Sequence, residues 1–174
     1  MDAFFFLRHG QTDWNVQGLL MGQQDIPLND DGRQQAYHAA KVLAGHEIAS
    51  LCHSPLARAK ETAQIIAGEC HCNLYPLDPL KERCWGTWEG QVISSEQLLN
   101  ANPPGAESES GFRERVLEGL SQAFAYPEPV LLVSHGGVFD IICEKLNLDG
   151  VALSNAIVIH VFKQLGKWNL EGLA

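Results

Sequence analysis

The chain has 174 residues, 45% of them apolar, and a mean hydropathy of -0.09, values that fit one globular domain spanning residues 1–174 with a full core. Its formal net charge is -9, its pI is near 5.1, and its 12 lysines and arginines form no basic run, so no nucleic-acid partner is expected. No apolar stretch approaches a bilayer span and the first residues lack the length and basic start of a signal peptide, so no membrane partner and a cytoplasmic location are expected. Five cysteines, an odd number at low density, fit reduced thiols rather than a disulfide framework.

The first element is the apolar run that opens "FFFLRHGQTDWN", residues 4 to 15. It is too short for a helix and suits a strand over 3–7, buried on both faces, that ends abruptly in Arg8, His9 and Gly10. A helix is expected over 31–44, with Asn29 or Asp30 as its cap, Ala36, Ala40 and Leu43 as its apolar stripe, and Gly45 at its end. His38 and His46 are expected to face solvent, and Asp25 and Asn29 to organise turns around Pro27. The stretch "IASLCHSPLARAKETAQIIAG", residues 48 to 68, reads as a strand over 48–52 followed by a helix. Ser54 and Pro55 suit that helix's N-cap and first position, Gly68 suits its end, and Arg58 then lies near its first turn. His53 is expected in a loop without a catalytic role.

Cys70, His71 and Cys72 are adjacent donors without the separated pairs of a tetrahedral metal site, and they read as a turn into a strand over 73–76. Residues 94–107, with "NPPGAES", read as a mobile surface loop bordering a substrate entrance. Helices are expected over 109–125, stopped before Pro127, and over 137–146, with strands over 129–133 and 156–162. Strands separated by helical patterns indicate an α/β fold.

"PVLLVSHGGVFD", residues 129 to 140, repeats the opening arrangement, an apolar run that ends in Ser134, His135, Gly136 and Gly137. If the strands before Arg8, Arg58 and His135 are parallel, Arg8, His9, Arg58 and His135 converge on one sheet edge. Helix amino ends there add unpaired N–H donors and positive dipole charge, which makes a phosphate pocket. Phosphoryl transfer needs charge neutralisation, a nucleophile and an acid for the leaving oxygen. The arginines offer planar forks that match phosphate oxygens, one histidine can attack phosphorus and the other can stabilise the transferring group, and spacing alone does not say which. "LKERCWGTWEG", residues 80 to 90, offers Glu82 and Glu89 as acids, with Trp85 and Trp88 read as packing residues.

These segments resemble the histidine phosphatase superfamily, in the branch with cofactor-dependent phosphoglycerate mutases and many small phosphatases. "LRHGQTDWN", "GLLMGQQDIPLNDDGRQQA", "CHSPLARAKETA", "LKERCWGTWEG", "PPGAES" and "VLLVSHGGV" match its successive motifs in order. The resemblance implies a three-layer α/β/α fold with a mostly parallel central sheet. It implies His9 as the nucleophile that becomes phosphohistidine, Glu82 as proton donor, and Arg8, Arg58 and His135 completing the phosphate pocket. It also places Asn15 on the phosphoryl group, Gly22 where a loop approaches substrate, and Gly136 in the pocket wall. Departures fall around substrate: Leu19 stands where arginine is common, Met21 replaces a polar residue, and Ala106 replaces the second glycine of "PGGES".

The expected activity is phosphomonoester hydrolysis of a small phosphorylated metabolite, with no metal and no cofactor. A mutase is the nearest competing activity, disfavoured because residues 90 to 104 are short and contain no Lys or Arg. A phospho-ligand binding module and metal-assisted hydrolysis also compete. The intact His9, Glu82 and His135 argue against the former, and the lack of a recognisable carboxylate ligand cluster against the latter.

Overall fold

The computed structural model describes residues 1–98, 101–151 and 153–173. One six-stranded sheet runs through it in the order β3-β2-β4-β1-β5-β6. The strands are β1 (Ala3–Arg8), β2 (Ser50–His53), β3 (Asn73–Pro76), β4 (Val130–Ser134), β5 (Val158–Gln164) and β6 (Lys167–Leu173). β3, β2, β4 and β1 are mutually parallel, and β5 and β6 add an antiparallel hairpin beside β1. The sheet is therefore mostly parallel, as expected, with an antiparallel edge that includes a strand, β6, outside the expected set.

Helices cover both faces. α1 (Asp13–Gln17) follows β1, α2 (Asp30–Leu43) and α3 (Ala57–Cys70) lie on one face, and α5 (Glu109–Ala123) and α6 (Gly136–Leu146) lie on the other; a single turn, α4 (Ser95–Leu98), sits between α3 and α5. Alternation along β1 builds both cores at once. Phe4 and Phe6 join Phe112, Val116 and Phe139, whereas Phe5 and Leu7 join Ala40, Leu43, Ala59 and Ala63. Burying each such large side chain contributes roughly 1.5–3 kcal/mol. This is the physical reason the short run "FFFL" occupies the middle of the sheet rather than its edge.

α2 begins where expected, with the Asn29 side chain accepting from Gly32 N at 2.9 Å. α3 does not. It starts at Ala57 after Leu56, and the Ser54 hydroxyl supplies no cap within the helix. Asp25 performs that task from a distant loop, its Oδ1 accepting from Ala57 N at 2.6 Å, while Ser54 Oγ turns to His135 Nε2 at 2.8 Å. α3 also runs through Gly68 to Cys70, and His71 ends it in the left-handed region at φ 53°. Asp25 is thus a helix cap as well as part of the turn near Pro27. His46 is exposed as expected, with its ring against Phe5. His53 closes β2 as a buried residue, its Nδ1 donating to Ser54 O at 2.8 Å, so it is not in a loop.

Candidate active site

The parallel register brings three strand ends level. Arg8 pairs with Ser134 across β1 and β4, and His53 pairs with Val133 across β2 and β4. His9 N donates to Ser134 O at 2.9 Å and Ser54 N donates to Val133 O at 3.0 Å, so the next residues of all three strands stay locked together. His9 and His135 consequently sit with ring centroids 5.2 Å apart, and both are buried. Beside them lies a cavity of about 550 Å³ whose lining includes Arg8, His9, Asn15, Gly22, Arg58, Glu82 and Gly136. His135 is the one sequence-expected site residue outside that lining, and it stands behind it against His9.

The hydrogen bonds assign protons. His9 Nδ1 faces its neighbour's carbonyl, Gly10 O, at 2.8 Å and so carries the hydrogen; Nε2 faces the Arg58 Nε donor at 3.2 Å and so carries the lone pair. Burial, then the nearby Arg58 charge, hold the His9 imidazole well below the ordinary histidine value of 6.5. His135 is held down by burial and then by Arg58 and His9. Ser54 Oγ accepts from Leu56 N at 3.3 Å and sits 2.8 Å from His135 Nε2; in the tautomer in which the hydroxyl donates to that nitrogen, the His135 hydrogen is on Nδ1. That atom is buried without a partner among the described residues, as is Arg8 Nε. Orphaned buried donors beside a cavity are costly unless a ligand satisfies them, and two cationic or polar donors of this kind fit an anion.

Arg58 is buried and is pushed down to about 10, chiefly by burial. Its Nη1 donates to Gln24 O at 2.8 Å and its Nη2 to Gly22 O at 2.7 Å, which leaves each of these nitrogens one further hydrogen. Arg8 Nη1 donates to Leu153 O at 2.6 Å. Asn15 closes a capping box with Thr12, its Oδ1 accepting from Thr12 N at 3.1 Å and from Asn155 Nδ2 at 3.3 Å. Its Nδ2 is thereby the atom turned to other use.

Glu82 sits on the amino end of α6. Its Oε2 accepts from Gly137 N at 3.1 Å and its Oε1 from Arg83 N at 2.9 Å. Burial raises its carboxyl above the ordinary 4.5, against the pull of those two N–H groups and of Arg58 and Arg8. Glu89, the other candidate acid, is outside the cavity lining and is spent on structure. It accepts from Gln23 N at 2.9 Å, Trp85 N at 3.0 Å and Gln24 Nε2 at 2.9 Å. Gly22 has φ 51° and a Cβ there would collide with Glu89, so glycine is required where loop and carboxylate meet.

Three residues outside the expected set support the site. A Cβ on Gly137 would strike Glu82 Oε1, so the second glycine of "HGG" is what seats the Glu82 carboxyl. Arg115 clamps the strand-to-acid loop, donating to Pro79 O at 2.9 Å, Lys81 O at 2.8 Å and Glu82 O at 3.2 Å while forking onto Glu107. Asn155 Nδ2 donates to His9 O at 3.0 Å. Glu107 lies inside "PPGAES", and with Ala106 bridged to Trp85 this end of the 94–107 stretch is fastened to the site rather than loose; residues 99 and 100 of that stretch lie outside the described residues. Among the described residues no three His, Cys, Asp or Glu side chains are grouped to hold a metal ion.

The sequence model of the histidine phosphatase superfamily (branch 1) matches residues 4–169. The chain belongs to that superfamily. Among histidine phosphatase relatives, an uncharacterized phosphatase, PhoE, of Bacillus subtilis is 32% identical over 182 residues, covering 98% of this chain and 93% of its own. A probable phosphoglycerate mutase, GpmB, of Salmonella choleraesuis is 34% identical over 147 residues, covering 76% of this chain and 68% of its own. A solved mycobacterial glucosyl-3-phosphoglycerate phosphatase in complex with VO3 superimposes with a TM-score of 0.85 at 25% identity, covering 98% of each chain. The three-layer architecture is thus that of a histidine phosphatase, and no helix among the described residues is long and apolar enough to cross a membrane.

Proposed function

We propose that this histidine phosphatase superfamily phosphatase hydrolyses small phosphomonoesters through a phosphohistidine at His9, without a metal. The observation that carries the reading is the proton arrangement at His9: a neutral ring with its hydrogen held by Gly10 O and its lone pair on Nε2, at the cavity. An incoming phosphoryl group takes up the spare donors of Arg8, Arg58 and Asn15 together with His135 Nδ1–H, and draws Arg58 off the lone pair. His9 Nε2 then bonds to phosphorus as the ester oxygen departs, taking a proton from Glu82. A water molecule gives its proton to the Glu82 carboxylate, attacks the same phosphorus and breaks the phosphorus–nitrogen bond, which releases phosphate and restores neutral His9. The raised Glu82 carboxyl suits both halves, since it holds a proton longer than an exposed glutamate and still returns to the ionised form.

Support for hydrolysis over mutase transfer comes from the short 90–104 stretch, which supplies no Lys or Arg to retain a displaced acidic product. The test is rapid alkaline quench during turnover of p-nitrophenyl phosphate in EDTA. An acid-labile, base-stable label on the "LRHGQTDWN" peptide, absent in His9→Ala, is expected, with turnover falling at least ~10³-fold. Label on the "VLLVSHGGV" peptide would reverse the histidine roles, and turnover surviving His9→Ala would remove the covalent route. Loss of activity in EDTA, restored by a divalent metal, would remove the metal-free one.

A further inference from the structure

Ser54 and His135 are both fully buried, and Ser54 Oγ lies 2.8 Å from His135 Nε2. Ser54 is held in that place on three sides. Its N donates to Val133 O at 3.0 Å, two residues before His135, its O accepts from His53 Nδ1 at 2.8 Å, and its Oγ accepts from Leu56 N at 3.3 Å. The helix that follows makes no claim on the hydroxyl, because Asp25 Oδ1 comes from another loop to accept from Ala57 N at 2.6 Å.

Burial, then the Arg58 charge, keep the His135 ring neutral, and its two tautomers strand different groups. With the hydrogen on Nε2, Ser54 Oγ would accept from both Leu56 N and His135 Nε2. The hydroxyl hydrogen would then have no acceptor among the described residues, and the Nδ1 lone pair would have no donor. With the hydrogen on Nδ1, the hydroxyl donates to Nε2 and only Nδ1–H lacks a partner. A buried polar group left unpaired costs ~1–3 kcal/mol, so the second arrangement is favoured, and the group it leaves over is a donor that an anion satisfies.

The geometry points to Ser54 as a positioning residue whose hydroxyl fixes His135 in the Nδ1–H form, so that the ring meets the transferring phosphoryl group as a donor rather than as a lone pair. Ser54 is outside the cavity lining and acts through His135 alone. The inference rests on the phosphatase reading for the use of that donor, and on the hydrogen bonds around Ser54 for its existence.

The test reads the tautomer and the chemistry separately. NMR of the protein labelled with 15N-histidine, with His135→Gln to assign the signal, should show a His135 ring protonated at Nδ1 and bare at Nε2. In Ser54→Ala the ring loses its partner at Nε2, and the signal should become that of mixed tautomers. For p-nitrophenyl phosphate kcat should fall at least about tenfold, short of the ~10²–10³-fold cost of deleting such a donor outright. KM should move less than kcat, and orthovanadate affinity should fall in parallel with kcat. Ser54→Cys, similar in size and a weaker donor, reads the same quantities should Ser54→Ala fail to fold. An Nε2–H signal in the wild type overturns the inference, as does a folded variant with wild-type tautomer and orthovanadate affinity. Absence of turnover by the wild type sinks the phosphatase reading instead, while the tautomer and orthovanadate affinity still decide the role of Ser54.

Discussion

The parallel half of the sheet and its antiparallel hairpin do different work. β1, β2 and β4 deliver His9, Ser54 and His135 from their carboxyl ends, whereas neither β5 nor β6 contributes a residue to the cavity lining. The hairpin's contribution is indirect. The chain leading into β5 places Leu153 O on Arg8, Asn155 on His9 O and Ala156 N on Arg8 O, so it buttresses β1 from the side away from β4. Parallel neighbours align like ends, and that is what lets three separate turns meet at one cavity; an antiparallel neighbour presents its opposite end and can only brace.

The sharpest way to break this comparison is a change in the parallel half that removes chemistry and spares the fold. Glu82→Gln should slow esters with poor leaving groups by ~10²–10⁴-fold and nitrophenyl phosphate far less, measured as kcat/KM across a leaving-group series. Its urea midpoint should hold or rise, because a carboxyl raised by burial costs stability when ionised. Equal slowing across the series would mean lost positioning rather than lost acid.

A smaller effect, and one that mixes the two roles, is expected at Arg115. Arg115→Met leaves the carbonyls of Pro79 and Lys81 without this donor and Glu107 without its ion pair, while Glu82 O keeps Gln23 Nε2, so it should cost about 2 kcal/mol in urea denaturation and lower kcat more than it raises KM. Addition of phosphate should recover part of the stability and none of the kcat.

The pH dependence sharpens the comparison further. His9 and His135 are held neutral in the fold, so the unfolded chain binds more protons once pH falls through 6.5. Stability is therefore fully present above that pH and is lost progressively below it, down toward the depressed folded values. Glu82 has the opposite sign, its raised folded value making stability fall as pH rises through the window just above 4.5. Denaturation midpoints measured from pH 7 to pH 5 should fall in the wild type and fall less in His135→Gln. The acid limb of kcat/KM should lie below 6.5, since His9 stays unprotonated there.

The smallest effect belongs to the hairpin. Leu165 is fully exposed at φ 52° beside Gly166 at φ 77°, a turn that asks for asparagine or glycine at its first position. Leu165→Asn should raise stability by ~0.5–1 kcal/mol in urea with kcat/KM unchanged.

Sequence reasoning reaches the parallel half because its strands are uninterrupted apolar runs that stop at polar turns: expected 3–7, 73–76 and 129–133 against observed Ala3–Arg8, Asn73–Pro76 and Val130–Ser134. β6 escapes it for the converse reason. "KWNLEGL" is partly exposed throughout, so no buried run or strict alternation marks it. The start of α3 is misread from sequence because Ser54 has the chemistry of a cap and is used by His135 instead, a competition only the tertiary structure reveals. Asn155 carries no local signal, since its partners lie 140 to 146 residues away, and Arg115 shows only Glu107, 8 residues off, while the carbonyls it clamps lie 33 to 36 residues away.

Arg58 joins the floor of the cavity to its wall through a single rigid plane: Nε on His9, the two terminal nitrogens on Gln24 O and Gly22 O. Gly22 follows Leu19, Leu20 and Met21 directly, and all four line the cavity. A phosphoryl group that draws on this guanidinium therefore pulls on the strip of backbone against which the alcohol half of an ester rests. On the proposed phosphatase reading the two halves of one ligand should bind cooperatively, each settling the surface that receives the other, and inorganic phosphate and free alcohol measured separately should fall short of the affinity of the ester they compose.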